Sequence, residues 1–177
     1  MAINFSGGIK DKLLELQEQL RIQTSKGIFT RFENFHLTLA FLGETPAEKL
    51  NLLFRLMEEF NSPPVDIVFN HIGCFTHSRK ELWWIGSDPE SPGSLLLRGI
   101  HERLLSRLEE GGFAVDKRPF NAHITLAREI KHPLPIVLEA PEIAIRADRI
   151  SLMKSEHIRG ILTYTEIQKV VLSSGRR

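Results

Sequence analysis

One eight-residue segment occurs twice in this chain, and the repetition restricts the fold more than any other feature. Asn34-Phe-His-Leu-Thr-Leu-Ala-Phe41 matches Asn121-Ala-His-Ile-Thr-Leu-Ala-Arg128 at five of eight positions, with the histidines 87 residues apart. The first copy is apolar, too short for a helix and followed by a glycine, which is the pattern of a strand; the second reads the same way. Each follows a stretch with helical spacing in its own half, so the chain reads as two related lobes.

The rest of the chain fits that reading. Ala2 to Phe5 is a short strand, and Ile9, Leu13, Leu16 and Leu20 recur at helical spacing, predicting a helix from Ile9 to Ile22. Thr45-Pro46-Ala47-Glu48 has the form of a capping box, opening a second helix with Leu50, Leu53, Phe54 and Met57 on its buried stripe. Asn61-Ser62-Pro63-Pro64 ends it. Val65, Ile67 and Phe69 alternate as in a strand, with Glu81 to Gly86 as the expected partner. A third helix spans Ser94 to Glu110, with Gly111-Gly112 supplying a left-handed exit. Strands are predicted at Phe35 to Leu42, Asn121 to Arg128, Ile136 to Glu139, Ala144 to Met153 and Leu162 to Leu172. Strands outnumber helices and the two are interspersed, which makes the class α+β, with residues 1–177 as one bilobal domain.

Composition excludes several functions. The hydrophobic content is 42%, yet no apolar run approaches the roughly 20 residues of a membrane span. A net charge of +1 gives no general pull toward polyanions, so any nucleic-acid binding must be local. The basic pairs Arg79-Lys80, Lys117-Arg118 and Arg176-Arg177 read as solvated surface. One cysteine, Cys74, cannot form an internal disulfide, and without a secretory leader pattern the expected address is the cytoplasm.

Side chains alternate along a strand, so His36 and Thr38 share one face while Leu37 and Leu39 share the other; His123 and Thr125 stand in the same relation to Ile124 and Leu126. If a pseudo-twofold axis relates the lobes, the polar faces meet across a central cleft. Two imidazoles so placed suit phosphodiester cleavage, because a pKa near 6.5 lets one ring accept a proton while the other donates one. The threonine hydroxyls can then stabilise the charge on the non-bridging oxygens. No metal or cofactor is needed for this scheme.

These residues also carry a family resemblance. The tetrads His36-Leu-Thr-Leu39 and His123-Ile-Thr-Leu126, in the contexts Asn34 to Gly43 and Arg118 to Arg128, resemble those of the RNA 2′,3′-cyclic phosphodiesterases, or 2′-5′ RNA ligases, of the two-histidine phosphoesterase superfamily. The similarity takes in Ala2-Ile-Asn-Phe5, Leu82-Trp-Trp-Ile-Gly86, Ser151 to Ser155 and Leu162 to Thr165. It implies a bilobal α+β fold with the tetrads facing across a cleft. It implies His36 as general acid, His123 as general base, and Thr38, Thr125 and Arg128 as phosphate ligands. Strand parity puts Arg128 on the face opposite His123, so that role requires the strand to end or twist there. The implied substrate is RNA ending in a 2′,3′-cyclic phosphate, opened to a 2′-phosphomonoester, with ligation as the reverse reaction; the chain is expected to act as a monomer.

Two other functions compete: a related esterase acting on a small cyclic phosphate, such as one derived from ADP-ribose, and an RNA-binding module without catalysis. Intact tetrads disfavour the second. His71, Cys74 and His77 fall at spacings of three but lack the pairing of a zinc site, and Cys74 reads as a small buried hydrophobe. Trp83 and Trp84 must face opposite sides of their strand, which reads as one in the core and one packed under a helix, with a stacking surface for a base as the sharper alternative; Phe41 and Phe120 share that ambiguity.

Overall fold

The computed structural model describes residues 1–78 and 80–173, so Arg79 and the pair Arg176-Arg177 lie outside the described residues. Helix α1 (Gly7–Arg21) buries Leu13, Leu16 and Leu20 as the spacing requires. Helix α3 (Pro92–Glu110) starts where Ser91 Oγ accepts the Ser94 N–H, and it buries Leu97, Ile100, Leu104 and Leu108. Its left-handed exit is Gly112, at φ +74°. Helix α2 (Leu50–Glu58) buries Leu53 and Met57. The expected capping box does not form there: Ala47–Lys49 is a 3₁₀ turn, with Lys49 N–H donating to the Pro46 carbonyl, and no side chain caps it.

The strands are β1 (Ala2–Asn4), β2 (Lys26–Phe29), β3 (His36–Thr38), β4 (Val65–Phe69), β5 (His71–His77), β6 (Lys80–Gly86), β7 (His123–Lys131), β8 (Ile143–Ala147), β9 (Arg149–Ile158) and β10 (Ile161–Val171). Eight form one sheet in the order β10-β9-β1-β3-β7-β6-β5, with β2 added on β7, and its strands pair antiparallel. The remaining two, β4 and β8, form a ribbon that packs against α3 and α1. The α+β class is thus borne out, and β3 pairs with β7 through Leu37 and Ile124 in the middle of one continuous sheet. The two tetrad strands are neighbours in that sheet. Leu37 and Ile124 point into a core shared with all three helices, which leaves the His-Thr face to the site.

Several strands differ from expectation for identifiable reasons. The partner of Val65–Phe69 is β8, not Glu81–Gly86, which pairs with β5 and β7. Ile136–Glu139 is not a strand: Pro133, Pro135 and Pro141 withhold ladder donors around it, and the Gln23 side chain takes both the N–H and the carbonyl of Val137. Ala144 to Met153 is two strands, divided at Asp148. The unforeseen strand β5 contains Gly73 opposite Trp84, where a Cβ would collide with the indole ring. Glycine is required by that close approach.

Candidate active site

The Leu37–Ile124 pairing sets His36 opposite Thr125 and Thr38 opposite His123, so the two histidines occupy one diagonal and the two threonines the other. Diagonal neighbours in an antiparallel pair lie roughly 7–8 Å apart, room enough for a phosphate group between two rings.

Each ring is held in the same way. The Nδ1–H of His36 donates to the Asn34 carbonyl at 2.7 Å, and that of His123 donates to the Asn121 carbonyl at 2.8 Å. A carbonyl can only accept, so Nδ1 carries a proton in both rings and Nε2 is the atom free to take or give one. Nε2 of His36 lies 3.2 Å from Thr38 Oγ1. Tyr164 flanks His36 with ring centroids 4.8 Å apart; Phe75 meets His123 edge-on at 5.3 Å and Trp84 lies 6.0 Å away. Burial among these groups pushes both imidazoles below their ordinary pKa; the carbonyl bonds counter this in part, and the Arg128 charge adds to the lowering.

Arg128 reaches this face through a β-bulge. Thr125 pairs with Trp84 and Ala127 with Trp83, so Leu126 is an extra residue on β7. Leu126 and Ala127 are both fully buried, and the alternation resumes one residue out of step, turning the exposed Arg128 toward Thr125. A second irregularity follows at Glu129, at φ +54°. The parity objection to Arg128 is removed.

Two cavities adjoin at these side chains. One, of about 250 Å³, is lined by His36, Asn34, Phe29, Arg31 and Tyr164; the other, of about 460 Å³, by Phe41, Phe75, Phe120 and Arg118. Thr38, His123, Thr125 and Arg128 line both. The structure therefore brings together all five residues singled out in the sequence. It adds Tyr164, which no local pattern announced, and the carbonyls of Asn34 and Asn121, whose signal was present in the shared asparagine two residues before each histidine.

The tryptophans are placed differently from the stacking reading. Trp83 donates its indole N–H to Glu81 at 2.8 Å, Trp84 is buried beside His123 on the same face of the sheet, and neither lines either of these two cavities. Phe41 and Phe120 line the larger one. Cys74 is exposed, not buried, because β5 is the last strand on its side of the sheet. It lies three residues from both His71 and His77, so alternation sends it to the opposite face from them. Among the described residues no group of three or more His, Cys, Asp or Glu side chains converges as metal ligands would. No helix among the described residues is long and apolar enough to cross a membrane.

Two His-x-Thr strands side by side, each ring offering Nε2 to one pocket that an arginine also lines, form the kind of site that the resemblance to two-histidine phosphoesterases leads one to expect. The chain belongs to the LigT-like phosphoesterase family, whose model matches residues 3–84 and 88–163. An RNA 2′,3′-cyclic phosphodiesterase of Escherichia coli (strain K12) is 30% identical over 141 residues, covering 80% of this chain and 77% of that protein. A Geobacillus stearothermophilus protein of the same name is 34% identical over 111 residues, 61% of this chain; the match spans about a third of that protein's length, 34%. The solved structure of E. coli LigT complexed with 3′-AMP superposes with a TM-score of 0.82 at 26% identity, covering 98% of this chain and 96% of that one.

Proposed function

We propose that this chain hydrolyses the 2′,3′-cyclic phosphate at the end of an RNA, leaving a 2′-phosphomonoester, and that residues 1–177 do so as one domain, as a monomer, in the cytoplasm. The observation that carries the proposal is the pair of Nδ1–carbonyl bonds, which leaves Nε2 as the proton-transferring atom of each ring, both rings lining one cavity with Thr38, Thr125 and Arg128. His123 is the general base: its Nε2 takes a proton from water as the water oxygen bonds to phosphorus. His36 is the general acid: its Nε2–H passes to the 3′ oxygen as the P–O3′ bond breaks. Thr38, Thr125 and Arg128 hold the non-bridging oxygens, where charge accumulates. The phosphate's negative charge offsets that of Arg128 and favours the protonated His36 that the reaction needs.

The names of the E. coli and Geobacillus relatives support this substrate class, and the aromatic lining of both cavities supports a nucleotide on it. The test is turnover of a synthetic RNA ending in 2′,3′-cyclic phosphate, with the product's phosphate located by its resistance to a 3′-specific phosphatase and removal by a general one. Faster turnover of a cyclic mononucleotide or an ADP-ribose cyclic phosphate would replace RNA as the substrate; no turnover of any of these would leave a binding module.

A further inference from the structure

Helix α1 buries one polar residue among its leucines. Gln17 is 1% exposed, and an amide so placed is costly unless its N–H groups are bonded. Both are. Nε2 donates to the carbonyls of Thr30 and Leu126, each at 2.7 Å. Leu126 is the extra residue of the bulge that turns Arg128 toward the histidines, and its carbonyl also accepts the Thr30 N–H at 2.9 Å. The amide thus closes the junction between the chain leaving β2 and the bulge on β7.

We infer that Gln17 is a positioning residue for the phosphate site, acting through the Leu126 bulge on Arg128. The Thr30 N–H already pairs the Leu126 carbonyl, and the amide adds a second bond to it while holding the Thr30 carbonyl as well, which locks the bulged residue against the end of β2; regular pairing through Leu126 would turn Arg128 to the opposite face. Gln17 selects the bulged register. The same device recurs at the other tetrad: His101 on α3, 8% exposed, donates Nδ1–H to the Leu39 carbonyl at 2.7 Å. Leu39 and Leu126 hold the same fourth place in their tetrads, so a buried donor from a helix supports each one.

The inference rests on the phosphate-binding role proposed for Arg128, and a mutant cycle separates the two. Gln17→Met keeps the side-chain volume and removes the donor. It is combined with Arg128→Ala, and kcat and KM are measured on RNA ending in cyclic phosphate. Gln17→Met should lower kcat/KM about 10-fold, chiefly through KM, in the unaltered background and less than about 2-fold beside Arg128→Ala. Equal losses in both backgrounds, or no loss in either, overturn the role of Gln17 while leaving the proposed function standing. An Arg128→Ala without effect overturns both assignments together. If the unaltered chain does not turn over RNA, the proposed function fails, and the same cycle is read by affinity for inorganic phosphate, where the same coupling is required. Should Gln17→Met not fold, Gln17→Asn withdraws the amide by one methylene and takes its place.

Discussion

Leu37 and Ile124 pair directly across β3 and β7, and from this contact the diagonal placement of His36 and His123 follows. Two acid-base groups on one diagonal act on opposite sides of whatever lies between them, the requirement of an in-line displacement. His36→Ala and His123→Ala should each lower kcat by about 10²–10⁴-fold with the fold intact. The double variant should be scarcely slower than either single one, because losing one proton transfer already stalls the step. Near-normal turnover by either single variant would leave the paired tetrads with a structural role only.

The pH profile should be a bell displaced to the acid side of 6.5. Burial lowers both imidazoles, so the base is deprotonated, and the acid loses its proton, at lower pH than free histidine would. Arg128 contributes to both shifts, and Arg128→Ala should move both limbs toward alkaline pH. The measurement is kcat/KM against pH for the two proteins; limbs that stay in place would mean that Arg128 does not act on the rings.

Arg128→Ala should also impair turnover far more than Lys80→Ala. Lys80 is an exposed side chain paired with Glu129 at 2.6 Å, whereas Arg128 lines both cavities. A guanidinium can grip two phosphate oxygens at once. Similar small effects would remove Arg128 from the site.

Activity should survive exhaustive chelation. Imidazoles and hydroxyls occupy the positions where a metallophosphoesterase needs converging carboxylates. Loss of turnover in EDTA, restored by zinc, manganese or magnesium, would contradict the mechanism.

Gly73→Ala should destabilise the protein by about 1–3 kcal/mol, as overpacking does, because the added methyl meets the Trp84 ring and must displace it. Trp84 flanks His123 with ring centroids 6.0 Å apart, so a lower melting temperature should be accompanied by slower turnover. An unchanged melt would show that the ring moves aside freely.

The histidines and threonines were legible because an echo of sequence and a simple alternation both point to them. Arg128 was legible only through the family likeness. The bulge that turns it depends on Gln17, 109 residues away from Leu126 in the chain, and no local rule contains that bond. Strand β5 was hidden for a related reason: Gly73 interrupts its apolar pattern, and the ring that demands the glycine belongs to the neighbouring strand. Ile136–Glu139 misled in the other direction, having strand-like residues between prolines that deny it a ladder. Helices α1 and α3 were readable nearly to the residue, since their pattern is repeated over four turns or more.

The two helices that support the tetrads do so crosswise. Helix α1, which precedes the first tetrad, holds Leu126 of the second, while α3, which precedes the second, holds Leu39 of the first. Strand β1 is likewise enclosed between β3 and the late strand β9. Neither half of the chain can therefore finish its own share of the site. On a ribosome, His36 would emerge early and wait for most of the remaining chain before its strand acquired both neighbours. Contacts of such long sequence separation slow folding, and they make assembly of the site one of the last events in it.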